Sequence, residues 1–215
     1  MTGVNLIQRK GTWIGAVIAT ALAASVHAQT AERPEWKVGD MWTFHQKGGL
    51  PVTESDWSRK VLAALANGRF TVETETGGLL TFDGECNSLD KRGPDYSWRR
   101  FNFPLQVGKS WDHQYKMEGQ NSQGFVTSSW AVKTYETITV PAGTFNCFKV
   151  VGMAWRNWTP TNRPGGVTGA NDRSMTTYWY CPAIRGVAKW QILVMSPFGP
   201  DITTVSELTS IALTP

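Results

Sequence analysis

The sequence predicts an all-β protein, an antiparallel meander folding as a half-barrel, a barrel or a sandwich. Three observations carry this. Short stretches of alternating apolar and polar residues recur along the chain. Turn-forming clusters such as Asn67-Gly68, Gly77-Gly78 and Pro141-Ala142-Gly143 separate them. Beyond the first 28 residues no long stretch carries helical periodicity.

Taken in order, Met41-Trp42-Thr43-Phe44-His45-Gln46 puts Trp42 and Phe44 on one strand face and Thr43 and His45 on the other. Val61 to Leu65 and Phe70 to Thr76 flank Asn67-Gly68, whose two residues both tolerate positive φ, and so read as a hairpin. A competing reading makes Trp57 to Ala66 a short helix; the strand-like residues directly after the turn favour the hairpin. Leu79 to Phe82 follows as a strand, then an irregular polar segment over 84–104. Strand signals return at Trp111 to Met117, Thr127 to Val140 and Thr144 to Trp155. A Thr/Asn/Pro/Gly-rich loop is expected over 157–172, before strands at Ser174 to Tyr180, Val187 to Met195 and Thr203 to Leu213.

The N-terminus reads as a secretory signal peptide, residues 1–28. Arg9 and Lys10 form a basic n-region, Trp13 to Ala24 is apolar or small apart from Thr20, and Val26-His27-Ala28 suits a cleavage site. That apolar stretch is well short of the ~20 residues of a spanning helix, so no stable membrane anchor is expected. No cysteine follows the cleavage point, so the usual lipoprotein route is not indicated. Residues 29–215 then form a single β-rich domain. A faint repeat, Val38-Gly39-Asp40-Met41-Trp42 against Val107-Gly108-Lys109-Ser110-Trp111, suggests two lobes, 29–103 and 104–215, sharing one sheet or core. The expected compartment is the periplasm or the extracellular space.

Residues 1–28 hold two of the 21 basic residues and none of the 17 acidic ones, so cleavage lowers the net charge from +4 to +2. With basic residues scattered in pairs, the chain has no nucleic-acid footprint. Three cysteines, Cys86, Cys147 and Cys181, permit one disulfide and leave one thiol. All three pairings are open; Cys147–Cys181 is preferred because both lie in strand-like segments able to be neighbours.

Ten of the eleven tryptophans lie beyond residue 28. Most are expected to fill the core. Trp155, Trp158 and Trp179 flank the long loop or sit in Tyr178-Trp179-Tyr180, and these five aromatics are the candidate ligand-binding residues. Alternation puts Tyr178 and Tyr180 on one face and Trp179 on the other. Catalytic and metal signals are weak. His45 and His113 are the only histidines beyond residue 28, with no HExxH, no Cys-x-x-Cys, no G-x-S-x-G and no phosphate loop. Ser88 and Lys91 match Ser-x-x-Lys in spacing alone. No cofactor, no metal site and no catalytic residue is assigned.

Val140-Pro141-Ala142-Gly143-Thr144-Phe145-Asn146-Cys147-Phe148-Lys149-Val150, together with Phe103-Pro104-Leu105-Gln106-Val107-Gly108-Lys109-Ser110-Trp111, Tyr178-Trp179-Tyr180-Cys181-Pro182 and Gly186-Val187-Ala188-Lys189, resembles a group of exported bacterial β-rich proteins of unknown function. Some of these are distantly similar to the half-barrel periplasmic lipoprotein carriers. The resemblance covers roughly residues 100–195. It implies an architecture rather than an activity, and the helices that cover the carrier half-barrel have no counterpart in this sequence.

The expected function is non-enzymatic: an apolar or amphipathic, lipid-like ligand held on an aromatic-lined concave sheet. The alternatives are a glycan-binding module, a secreted hydrolase using Asp83 and Glu85 or a free cysteine, and a structural module with an envelope protein partner. Intact mass measurement of the exported protein is expected to show a chain starting at Gln29; a mass retaining residues 1–28 would overturn the signal reading.

Overall fold

The computed structural model describes residues 29–74, 76–120, 122–160, 171–195 and 199–215. The expected signal segment 1–28 and residues 161–170, most of the expected long loop, lie outside the described residues. The described residues contain thirteen strands and no α-helix: β1 (Thr30–Ala31), β2 (Met41–Gly48), β3 (Thr53–Leu65), β4 (Arg69–Thr74), β5 (Leu79–Phe82), β6 (Ser88–Leu89), β7 (Leu105–Gln106), β8 (Ser110–Gly119), β9 (Ser122–Val140), β10 (Gly143–Pro160), β11 (Asn171–Cys181), β12 (Gly186–Met195) and β13 (Ile202–Ala212). Eleven of them form one antiparallel sheet in the order β6-β5-β4-β3-β2-β13-β12-β11-β10-β9-β8. Strands of both expected lobes lie in this sheet, joined where β13 sits between β2 and β12.

The Asn67-Gly68 hairpin forms as read, with φ of 66° and 68° at the two residues. β3 begins at Thr53, well before the expected start at Val61, because its polar first half pairs with β2 in register. Cross-strand neighbours supply the support that propensity lacks: Lys47 meets Glu54 at 2.6 Å and His45 meets Asp56 at 2.8 Å. Similarly, β10 and β11 extend to Pro160 and Asn171, so the flanks of the expected 157–172 loop are strand. There Asn157 pairs with Asn171 because the neighbouring ladder overrides the weak β preference of asparagine.

The short repeat is a turn used twice. Lys37 O accepts from Asp40 N and Gln106 O accepts from Lys109 N, both at 3.0 Å. After each turn the glycine N–H donates to a valine carbonyl, Val61 or Val132, and that valine's N–H returns to the residue after the glycine. Gly39 and Gly108 sit at φ of 100° and 91°, a region that L side chains rarely adopt. Three residues on, Trp42 and Trp111 enter the sheet and are buried.

Four register shifts, in the β3–β4, β9–β10, β11–β12 and β2–β13 ladders, increase the local twist. The sheet curls until side chains of non-adjacent strands meet: Phe44 on β2 lies 5.1 Å from Trp190 on β12, with β13 between them, and Trp36, ahead of β2, lies 5.5 Å from Phe82 on β5. The sheet stays open, with β6 and β8 as its edges. Gly152 is required on the concave side, since a Cβ there would collide with the Trp130 indole lying across it. Asp40, fully buried, ties the ends of the chain together. It accepts from Lys37 N and Thr214 N and pairs with Arg185 at 3.1 Å.

Cys147 and Cys181 lie on the neighbouring strands β10 and β11 and are joined by a disulfide. Cys86 is free and buried. A thiol titration of the mature protein is therefore expected to find none reactive when native, one after unfolding and three after reduction. A second thiol on unfolding without reductant would exclude the bridge.

Candidate functional site

The concave face is covered by the chain's own residues 83–109, which follow β5, pair with it once more at the short edge strand β6 and reach the opposite edge of the sheet at β8. This strap is held by polar side chains reaching backbone. Asp83 accepts from the N–H groups of Glu85 and Asn87, both at 2.8 Å, and closes the first turn. Asn87, 2% exposed, then acts as a surrogate strand. Its Oδ1 accepts from Arg100 N at 2.8 Å and Phe101 N at 2.9 Å, and its Nδ2 donates to Phe101 O at 3.0 Å. Phe101 is thereby driven into the sheet, 5.5 Å from Tyr178 and 5.8 Å from Tyr180. Farther along, His113 Nε2 contacts Ser97 O at 2.8 Å, and the Lys109 ammonium donates to the carbonyls of Asn102 and Pro104. β1 pairs with β7 and fastens the end of the strap to the first residues of the described chain.

Strap and sheet do not close on each other completely. A cavity of about 280 Å³ remains between them. Trp42, Phe44 and Gln46 of β2, Arg59 of β3, Tyr178 of β11 and Val187, Trp190 and Ile192 of β12 form its sheet side; Cys86, Trp98, Arg100 and Phe101 of the strap form its cover. Trp36 completes the wall and, like Trp42, spends its indole N–H on the turn after β11: Trp36 donates to Arg185 O and Trp42 to Ile184 O, at 2.7 and 2.9 Å.

The polar part of this lining is cationic. The Arg59 guanidinium lies 4.9 Å from the Trp57 ring centre and 5.3 Å from that of Phe82; Arg100 lies 5.1 Å from Trp98 and 5.8 Å from Tyr178. Among the described residues neither arginine has a carboxylate within 4.0 Å. Burial lowers the Arg59 pKa to about 10, and the charge of Arg100 adds to the effect. Aromatic faces return roughly 0.5–2 kcal/mol per cation, less than the several kcal/mol that desolvating an ion costs. Among the described residues the buried Nε of Arg100 and the buried indole N–H of Trp98 have no hydrogen-bond partner.

The five aromatics nominated from the sequence are dispersed. Tyr178 lines the cavity. Tyr180, 1% exposed, packs against Phe101 and Phe103 in the core beside it. Trp179 faces the opposite side of the sheet. There its indole donates to Glu136 at 2.8 Å, and the ammonium groups of Lys149 and Lys189 lie 5.3 and 5.7 Å from its ring centre. The Trp179 hydrogen bond is the main cause that lowers the Glu136 pKa. Trp155, 42% exposed, stands on the outer face of β10, and the half-buried Trp158 lies near that strand's far end. Arg59, Arg100, Trp98 and Gln46 were not read as site residues. The sequence signal they carried was weak: Trp98-Arg99-Arg100 is an ordinary aromatic-basic run inside an irregular segment.

The catalytic alternatives find other duties. Asp83 is occupied by the strap turn, and Glu85 pairs with Arg99 at 3.5 Å. Burial pushes the Cys86 thiol well above its usual range, which disfavours a thiolate nucleophile. Among the described residues there is no group of three metal-ligating side chains, and no helix is long and apolar enough to cross a membrane.

The class of protein defined here is an open antiparallel half-barrel whose concave face is roofed by an internal strap. No known family profile matches the chain, and no curated protein matches it. The chain is similar to solved structures of low identity. A protein described as exported, with a YmcC-like fold, from Bacteroides fragilis NCTC 9343 is 13% identical, with 85% of this chain and 99% of that one covered at a TM-score of 0.41. A protein described as a lipoprotein from Parabacteroides distasonis ATCC 8503 is 12% identical, with 86% and 100% covered at 0.41. The hypothetical lipoprotein YmcC from Escherichia coli (K12) is 10% identical, with 82% and 84% covered at 0.45.

Asn87→Ala leaves the N–H groups of Arg100 and Phe101 without their acceptor and is expected to cost roughly 2–4 kcal/mol in chemical denaturation. Hydrogen exchange should rise at Arg100 and Phe101 before it rises in β9 to β11. Uniform exchange across the sheet and strap would contradict the anchoring role.

Proposed function

We propose that this chain is an exported, non-enzymatic binding protein that holds an amphipathic ligand in the cavity between the curled sheet and its strap. One observation carries the reading: space is kept open beneath the strap and walled by Trp36, Trp42, Phe44 and Trp190, where close packing is the rule for a β core. A cavity of about 280 Å³ is near the lower end of small-molecule sites, so it suits a compact ligand or one end of a longer one. The N-terminal segment supports a site of action in the periplasm or outside the cell.

Native mass spectrometry of gently purified mature protein is expected to show a bound amphiphile that organic solvent releases. Val187→Phe, which fills the cavity from β12, is expected to abolish the added mass while the thermal melt stays within a few degrees of wild type. Wild-type protein free of any such ligand, with no quenching of tryptophan fluorescence by added amphiphiles, would overturn the reading.

A further inference from the structure

We propose that the ligand's head is an oxyanion, seated between the guanidinium groups of Arg59 and Arg100 with its apolar portion against Trp36, Trp42, Phe44 and Trp190. This rests on the binding reading above and adds the chemistry of the head group. Arg59 rises from the sheet and Arg100 descends from the strap, so one cavity receives two cations from opposite walls. Neither has an acidic partner among the described residues, and the acids of the neighbouring strap turn, Asp83 and Glu85, are engaged with Asn87 and Arg99.

Two like charges brought together in an aromatic enclosure repel each other and lose hydration. The arrangement becomes favourable when an anion enters, because guanidinium donors match the geometry of carboxylate and phosphate oxygens. The unpartnered Nε of Arg100 and the unpartnered indole N–H of Trp98 are further donors in the same wall. Gln46 adds a neutral amide whose oxygen already accepts from Ser206 Oγ at 3.0 Å, leaving its NH2 group to donate. Among the described residues no carboxylate lines the cavity to receive a cationic head. At about 280 Å³ the space holds on the order of ten non-hydrogen atoms, the size of an eight-carbon amphiphile.

Octanoate, octyl phosphate, 1-octanol and octylamine, titrated against the mature protein with tryptophan fluorescence as readout, test this. At least one anion is expected to bind ten-fold or more tightly than 1-octanol, with octylamine the weakest; the tighter anion identifies carboxylate or phosphate as the head. Arg59→Met and Arg100→Met are each expected to weaken anion binding at least ten-fold and to leave 1-octanol unchanged. Because each substitution removes an unpaired cation, neither should lower the melting temperature. Should either variant fail to fold, Arg59→Lys and Arg100→Lys, which keep charge but lose the planar fork, are expected to weaken the anion three-fold or more. If 1-octanol binds as tightly as both anions, the head-group assignment falls and the apolar binding reading survives. If no probe binds, both fall.

Discussion

Asn87 fixes Phe101 of the strap against the sheet, and the architecture depends on that placement. An open sheet of eleven strands has an apolar inner face that water would otherwise wet, and no α-helix among the described residues covers it. The strap crosses this face as irregular chain, which raises a second difficulty: its backbone N–H and C=O groups need partners while buried. Asn87 meets both demands, because a side-chain amide presents an acceptor and a donor at the spacing of a neighbouring peptide group. With Phe101 fixed, Tyr178 and Tyr180 have a packing partner, and the inner core becomes continuous from Trp111 through Trp130 to Phe148.

The curl of the sheet follows from separate causes that act together. Register shifts bend individual strands, and Gly152 lets Trp130 lie flat across β10. The repeated turn before Trp42 and Trp111 delivers a large indole to the inner face twice, once at β2 within the sheet and once at its edge strand β8. The Cys147–Cys181 bridge clamps neighbouring strands β10 and β11, and Asp40 joins the segment before β2 to the residues after β13. Each device uses a short stretch of sequence, and together they hold the inner face at a curvature that leaves room under the strap.

The charges divide between the two faces of the sheet. On the outer face, half-buried lysines and glutamates pair across strands around the buried Trp179. Inside, Arg59 and Arg100 have aromatic rings for company and no counter-ion among the described residues. That contrast separates a buried tryptophan set among paired charges from those that wall a binding space, though all belong to the same aromatic-rich composition.

Strand identity, the Asn67-Gly68 hairpin and the opposite facing of Tyr178 and Trp179 were legible in the sequence, because alternation and turn chemistry are local. The polar start of β3 and the strand ends at Pro160 and Asn171 were not, since their order comes from pairing with neighbours. The cavity was legible only in part. Tyr178 could be nominated from its aromatic cluster, whereas Arg59 and Arg100 lie 41 positions apart, one in a strand and one in a segment without regular structure. Only the tertiary structure, by curling the sheet and drawing the strap across it, brought those cations into one enclosure. Local composition determined that the chain is a tryptophan-rich β domain preceded by an export-like segment; long-range packing decided which face its tryptophans serve and where its unpaired charge resides.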